Sequence, residues 1–385
     1  MIKTGLQVLL EERLNLLAGR RVGLVSHTAA VLPDVTGIAS ALVDAGVTLA
    51  AIFGLGPGFT NSMAASREAS DAVDRRFGVP VYSLYGEVQE PSPAMLSGVN
   101  TLVVDFQDVG TRYFSSLSTL FFVLRAAGSA EIPVILLDRP NPINGVSIEG
   151  PLGVSGFELP EGVLPIPIRH GMTMAELALY LNNKFKLNAS LTIVPMQGWS
   201  RGMWFDDTGL QWVSPLSDLP HFSTAVVYPG MCLLEGTNLS HGKGTPLPYE
   251  LLGAPWIDSY ALADHLNKER LPGVRFRPTS FIPVTGNFAG QVCEGVQAHV
   301  VDRIVYQPVH VGLHVIEAVR MLALNDFEFI KPSATGSPQQ MDLLSGVAQI
   351  KEHLIAGKQV SDLLREWKAL REQFAEAREP YLLYR

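Results

Sequence analysis

The chain has 385 residues, 47% of them hydrophobic and only 17% charged, with 29 Lys and Arg against 37 Asp and Glu for a net charge of −8. That much apolar side chain excludes a disordered protein and allows two or three domains of about 150 residues each. An acidic chain without a Lys/Arg run is a poor match for polyanions, so neither nucleic acid nor a membrane surface is an expected partner.

No window approaches the roughly 18 apolar residues of a membrane span. The N-terminal stretch lacks a basic start, an apolar core and a small-residue cleavage site, which predicts a cytoplasmic protein. Cys232 and Cys293 stand far apart. They read as buried thiols rather than as a disulfide or part of a metal cluster.

The first third alternates strand and helix. Residues 21–26, 47–53, 79–82, 101–105 and 132–137 read as strands; 34–45 and 115–127 carry helical spacing. Near-continuous apolar strands separated by helices predict a parallel sheet covered on both faces. Residues 139–170 are rich in Pro and Gly and read as loops. Thr173 with Glu176 three residues on is a capping box, so a helix is expected over 171–183. Further strands are expected over 191–195, 225–228, 274–281 and 292–301, and helices over 259–270, 308–324, 340–355 and 360–377. The predicted class is α/β. A Rossmann-like, mostly parallel sheet domain spans 1–145, a second mixed α/β domain spans 146–385, and a cleft lies between them.

Ligands of open parallel sheets bind beyond the carboxyl ends of the strands. Here the first strand runs into Ser26 and His27. The fourth runs into Asp105, Gln107, Asp108, Arg112 and Tyr113, and the fifth into Asp138, Arg139 and Asn141. Downstream, Arg169 and His170 precede a helix. Glu235 and Asn238 open a polar, Gly-rich stretch that continues through His241, Lys243 and Thr245. Trp199, Trp204, Phe205, Trp212 and Trp256 lie in or near these loops. Aromatic faces beside carboxylates and amides suit sugar rings. The string Gly54-Leu55-Gly56-Pro57-Gly58 has the wrong spacing for a dinucleotide fingerprint, and Pro57 removes an N–H that a pyrophosphate would use. Neither a zinc motif nor a nucleophile elbow appears. No metal and no cofactor are expected.

Several strings are more specific. They include Val81-Tyr82-Ser83-Leu84-Tyr85-Gly86, Asp105-Phe106-Gln107-Asp108-Val109-Gly110-Thr111-Arg112, Asp138-Arg139-Pro140-Asn141-Pro142 and Glu149-Gly150-Pro151. Arg169-His170-Gly171-Met172-Thr173, Met203-Trp204-Phe205-Asp206-Asp207-Thr208-Gly209, Glu235-Gly236-Thr237-Asn238, Gly253-Ala254-Pro255-Trp256 and Pro380-Tyr381-Leu382-Leu383-Tyr384 follow. Together, over residues 5–384, they resemble the bacterial exo-β-N-acetylmuramidases.

The resemblance implies two α/β domains around a cleft. It also implies removal of N-acetylmuramic acid from the non-reducing ends of peptidoglycan fragments, without metal or organic cofactor. The family usually carries a Pro-Glu-His-Gly segment after the second strand, whose Glu is the leading candidate for the catalytic acid. Here its Glu and His positions fall on Gly56 and Pro57. The remaining catalytic candidates are Asp108 and Glu235, with His27 as a proton carrier. Ser26, Asp105, Gln107, Tyr113, Asp138, Asn141, His170 and Asn238 are expected on the substrate, and Arg112, Arg139 and Arg169 at its lactyl carboxylate. Substrate-assisted hydrolysis, with the N-acetyl group as nucleophile, would spare one protein carboxylate. Two alternatives stand beside the enzyme reading: a catalytically impaired paralogue that binds muropeptides or a related sugar, and an unrelated activity on a reshaped cleft.

Overall fold

The computed structural model describes residues 2–55, 72–86, 88–154, 164–331 and 339–385. Gly56 and Pro57 lie outside the described residues. Helix α1 (Gly5–Glu12) opens with a capping box between Thr4 and Gln7. Then come β1 (Arg21–Ser26), α2 (Ile38–Asp44), β2 (Thr48–Gly54), β3 (Ala72–Val73), β4 (Pro80–Ser83), β5 (Thr101–Asp105), α3 (Ser115–Ser129) and β6 (Val134–Leu137). A short hairpin of β7 (Glu149–Leu152) and β8 (Pro167–Arg169) precedes α4 (Met174–Lys184) and β9 (Leu191–Val194).

Seven strands form one sheet in the order β3-β4-β2-β1-β5-β6-β9. Every pairing is parallel except that of the edge strand β3. Alternate residues serve opposite faces, as a pleated strand requires. Val25, Phe53, Val104 and Leu136 pack with α3 and α4. Leu24, Ile52, Val103 and Ile135 pack with α1 and α2. The strand β9 pairs with β6, so the sheet reaches past residue 145, where the first domain was expected to end.

The chain continues through α5 (Phe222–Met231), β10 (Leu251–Ala254), α6 (Ser259–Lys268), β11 (Val274–Phe281) and β12 (Cys293–Val300). It ends in α7 (Pro308–Leu322), α8 (Gln340–Ser345), α9 (Gln349–Ile355), α10 (Val360–Glu366) and α11 (Lys368–Arg378). The three strands form an antiparallel sheet, β10-β12-β11, and share one core with α5, α6 and α7. Residues 225–228 are the middle of α5 and not a strand. The helix is buried on all sides from Thr224 to Met231, so it has no polar stripe to reveal its period. The helix expected over 340–355 is two helices, broken where Gly346 turns left-handed at φ 72°. The one expected over 360–377 breaks at Trp367. Both cysteines are free and buried. Among the described residues no helix is long and apolar enough to cross a membrane.

The C-terminus returns to the first sheet. Phe374 enters the core beside α4, and the Tyr384 hydroxyl donates to Asp138 Oδ2 at 2.6 Å. Helices α5 and α7 cross at two glycines. A Cβ on Gly312 would sit 2.3 Å from the carbonyl oxygen of Gly230. Gly312→Ala must therefore push the helices apart, at a cost of about 1–3 kcal/mol or more. Urea unfolding reads this as a lower midpoint; an unchanged midpoint would show that the helices do not meet there.

Candidate active site

The sheet's carboxyl edge collects the predicted polar residues, but it binds them to one another. Asp105 and Arg139 form a buried two-point ion pair, with Nη2 to Oδ2 at 2.9 Å. Arg139 Nη2 also donates to the Val31 carbonyl at 3.0 Å. Ser26 Oγ donates to the Asp105 carbonyl at 2.9 Å. Gln107 Nε2 donates to the Asp108 and Pro140 carbonyls. Asp138 accepts from Thr173 Oγ1, the Ala175 amide and Tyr384, which ties α4 and the C-terminus to β6. Asn141 bridges Met172 and Ile143.

The three arginines expected at a substrate carboxylate are similarly occupied. Arg112 sends Nη1 to the Pro151 and Ile166 carbonyls and Nη2 to those of Leu344 and Ser345. Arg169 pairs with Glu149 at 2.7 Å and lies over the Trp204 ring. All three are buried. The expected aromatic platform is also interior. Trp199, Trp204 and Phe205 are buried, and Trp212 packs against Phe205 and Phe222.

The catalytic candidates differ in access. His27 is buried, and its Nε2 accepts the Gln107 amide at 2.8 Å. Because Nε2 accepts, the neutral ring carries its proton on Nδ1. Burial first, and then the Arg139 charge, push its pKa down to about 4. The ring is neutral at pH 7, and Nε2 is occupied by the Gln107 amide. Asp108 is 3% exposed; it accepts the Gly110 amide at 2.8 Å and Ser116 Oγ at 3.3 Å. His170 Nε2 stands 3.4 Å from Asp108 Oδ2, while its Nδ1 accepts the Met172 amide.

The Glu235 side chain, by contrast, is 23% exposed. It sits on a 3₁₀ turn, Cys232–Gly236, that continues α5. Lys243 Nζ lies 2.8 Å from its Oε1, the Tyr249 hydroxyl donates to the same oxygen at 2.8 Å, and His241 Nε2 is 3.7 Å away. Lys243 also reaches Asp218 at 3.4 Å. Tyr249 is held at φ 63°, a left-handed conformation that costs a non-glycine residue roughly 1–2 kcal/mol. Burial pushes the Glu235 carboxyl up, but the Lys243 charge, with hydrogen bonds from Lys243 and Tyr249, outweighs it and holds the group below its usual range; His241, itself pushed down by burial, adds no charge at neutral pH. Burial likewise opposes the Lys243 charge, and Glu235 more than restores it.

The two regions meet at Tyr113. Its hydroxyl donates to the Pro229 carbonyl at the end of α5, and its ring packs edge-on against Tyr228. Asn238 bridges Asp326 and Glu328. His241 and Lys243 are legible in the sequence only as part of a polar stretch, and Asp218 and Tyr249 are not singled out by it. The available signal was His241-Gly242-Lys243-Gly244, whose glycines at φ 76° and 77° turn the loop back onto Glu235. Among the described residues no group of three or more His, Cys, Asp or Glu could hold a metal.

Fold and site thus define an α/β protein with a lysine-paired carboxylate in a second unit joined to the carboxyl edge of an open parallel sheet. Residues 22–223 match the N-terminal domain of exo-beta-N-acetylmuramidase NamZ, and residues 226–384 match its C-terminal domain. The chain belongs to this family. It is 40% identical over 384 residues to the peptidoglycan beta-N-acetylmuramidase NamZ of Bacillus subtilis strain 168, covering 100% of this chain and 91% of that protein. A DUF1343 family protein of Bacteroides fragilis NCTC 9343 shares 32% identity with a TM-score of 0.91, covering 100% of this chain and 99% of that one. A second from the same organism, at 24% identity, TM-score 0.79 and the same coverages, shares the fold.

The state of His27 sets a stability test. A base whose folded pKa lies near 4 against about 6.5 unfolded contributes stability above 6.5 that is lost as pH falls towards 4. Asp138 acts oppositely: burial raises its pKa to about 7, so its contribution is present below about 4 and is lost as pH rises through 7. His27→Gln removes the first contribution alone. Its unfolding free energy, measured between pH 4 and 6.5, should rise less steeply with pH than the parent's, by up to about 1.4 kcal/mol per pH unit. Identical slopes would mean that His27 is charged in the folded protein.

Proposed function

We propose that this chain is an exo-acting β-N-acetylmuramidase, a hydrolase that releases N-acetylmuramic acid from the non-reducing ends of peptidoglycan fragments, and that Glu235 is its working carboxylate. Family membership and the 40% identical relative support the reaction. The observation that carries the assignment is access. Of the three catalytic candidates, Asp108 and His27 are sealed, while Glu235 is partly exposed and kept ionised by Lys243.

An ionised carboxylate suits one half of glycoside hydrolysis. It stabilises the positive charge that develops at the anomeric carbon, or orients the substrate's acetamido group as that group's oxygen attacks. Glu235 therefore acts on the sugar side of the scissile bond. The leaving oxygen needs a proton, and a carboxyl held low by a lysine is a poor donor. With Gly56 in place of the family's Glu, we assign that proton to solvent. Lys243 is 29% exposed, and with Arg112, Arg139 and Arg169 engaged internally we assign it to the lactyl carboxylate as well.

The assay follows free N-acetylmuramic acid released from its β-linked disaccharide with N-acetylglucosamine. General acid help is worth about 10²–10⁴-fold, so the Gly56→Glu, Pro57→His chain should turn over that much faster than the natural one. A silent natural chain with an active restored one supports the second reading that Gly56 and Pro57 favour, a paralogue that binds muropeptides without cleaving them. In whichever chain is active, Glu235→Gln should lower kcat by about 10²–10⁴-fold with little change in KM. Full activity would remove Glu235 from the chemistry.

Lys243→Met tests the charge coupling. Loss of the cation lets the Glu235 carboxyl rise, so the acidic limb of kcat/KM should move to higher pH. A stationary limb would show that another group sets it.

A further inference from the structure

A pocket of about 310 Å³ opens on the second part of the chain and shares no lining residue with the Glu235 cluster. That volume is at the lower end of small-molecule sites. Its walls are the first two turns of α5, the end of β12, Glu250 and Arg303.

Glu250 is the unusual member. It is 9% exposed, and its Oε1 accepts Ser223 Oγ at 2.7 Å and Thr224 Oγ1 at 3.4 Å. Its backbone is fixed too, since its carbonyl accepts the Ala298 amide at 2.9 Å. Among the described residues no Lys, Arg or His lies within ion-pair distance of it. Among the described residues its Oε2 has no hydrogen-bond donor, yet it is not sealed from solvent. A carboxylate so deeply buried is costly without a counter-charge, and two hydroxyl donors to one oxygen offset only part of that cost.

Arg303 cannot supply the charge. Its Nη1 is held by Asp206 and its Nη2 by Asp207 at 2.9 Å, with the guanidinium over the Trp204 ring. Glu250, Asp206 and Asp207 against one arginine leave the pocket and its rim with an excess of two negative charges. That sign excludes an anionic ligand. One carboxylate is too few for a bare metal ion, and the remaining wall is mostly apolar, Phe222, Val226, Val227, Ala298 and Val300, with the His299 imidazole as its one further polar group.

We propose that this pocket binds a primary alkylammonium, with the ammonium on Glu250 Oε2 and an unbranched aliphatic stem along the valines and Phe222. A free amine and a lysine-type side chain present the same chemistry. The site is independent of the hydrolase reading, because it needs neither Glu235 nor turnover.

Ligand-observed NMR on the full chain with n-pentylammonium tests it. Binding is expected in the millimolar range, with none for pentan-1-ol, which has the stem without the charge. Ethylammonium should bind more weakly, by roughly four-fold for each methylene removed from the apolar wall. Nα-acetyl-lysine amide should bind and glycinamide should not, which separates a side-chain ammonium on a long stem from a peptide amino terminus. Glu250→Gln keeps an acceptor for Ser223 and should weaken pentylammonium at least about tenfold. Val300→Trp fills the pocket without touching Glu250 and should abolish binding, with thermal unfolding confirming that each variant is folded. Absence of pentylammonium binding to the natural chain overturns the proposal. So does equal binding of pentan-1-ol, which needs no variant to observe, or unchanged affinity in a folded variant.

Discussion

The Arg112 guanidinium is the interaction on which the arrangement of the two parts depends. A charge this deeply buried is tolerated only when its donors are satisfied. Burial pulls its pKa down to about 10, which still leaves it charged at neutral pH. Its donors reach Pro151 in β7, Ile166 just before β8, and Leu344 and Ser345 at the end of α8. One side chain from the loop after β5 thus clasps the β7–β8 hairpin and a helix more than two hundred residues away. The next residue, Tyr113, extends the clasp to Pro229 at the end of α5. The turn that carries Glu235 begins three residues later. The position of Glu235 relative to the sheet edge follows from this short stretch of backbone, pinned on both sides.

Beside that clasp, the polar groups of the strand edge are turned on one another. A carboxylate at the end of a parallel strand can hold a ligand or hold a loop. Asp105 holds Arg139, and Asp138 holds α4 and the C-terminal Tyr384. Once each charge has a protein partner, the edge is a rigid foundation. The second part of the chain then needs to supply only a few groups placed against it. Tyr249 is held in a left-handed conformation, with its hydroxyl on Glu235 and its ring stacked on His241. Strain at such a position persists where surrounding contacts over-determine it.

The parallel sheet was legible because burial on both faces leaves long apolar runs, as in residues 101–105. The start of α4 was legible because Thr173 and Glu176 cap each other. The family resemblance rested on strings such as Asp105 to Arg112, whose polar side chains bond largely to the protein's own groups. What the sequence hid had a common cause. α5 is apolar all round, so it carries no period. The partners of Arg112, Arg139 and Arg169 lie 20 to more than 200 residues away, and sequence order does not rank such partners against a ligand. The same distance hid Glu250, which reads as an ordinary acidic residue until α5 and β12 bury it.

The charge on Glu235 bears on the departure at Gly56. Glycoside hydrolysis divides its work between a group that gives a proton and a group that faces developing positive charge. The two need opposite environments: the first a raised pKa, the second a lowered one. Lys243 places Glu235 in the second environment, against the burial that would otherwise raise it. On the proposed role of Glu235, a Gly56 in place of the family's candidate acid would take away a proton donor, while the pairing of Glu235 with Lys243 and Tyr249 does not involve that position. Had Glu235 taken over the donor's role, the lysine beside it would work against that role. The cluster instead retains the electrostatics of a carboxylate that works beside a separate acid, or beside a substrate whose own acetamido group supplies the nucleophile.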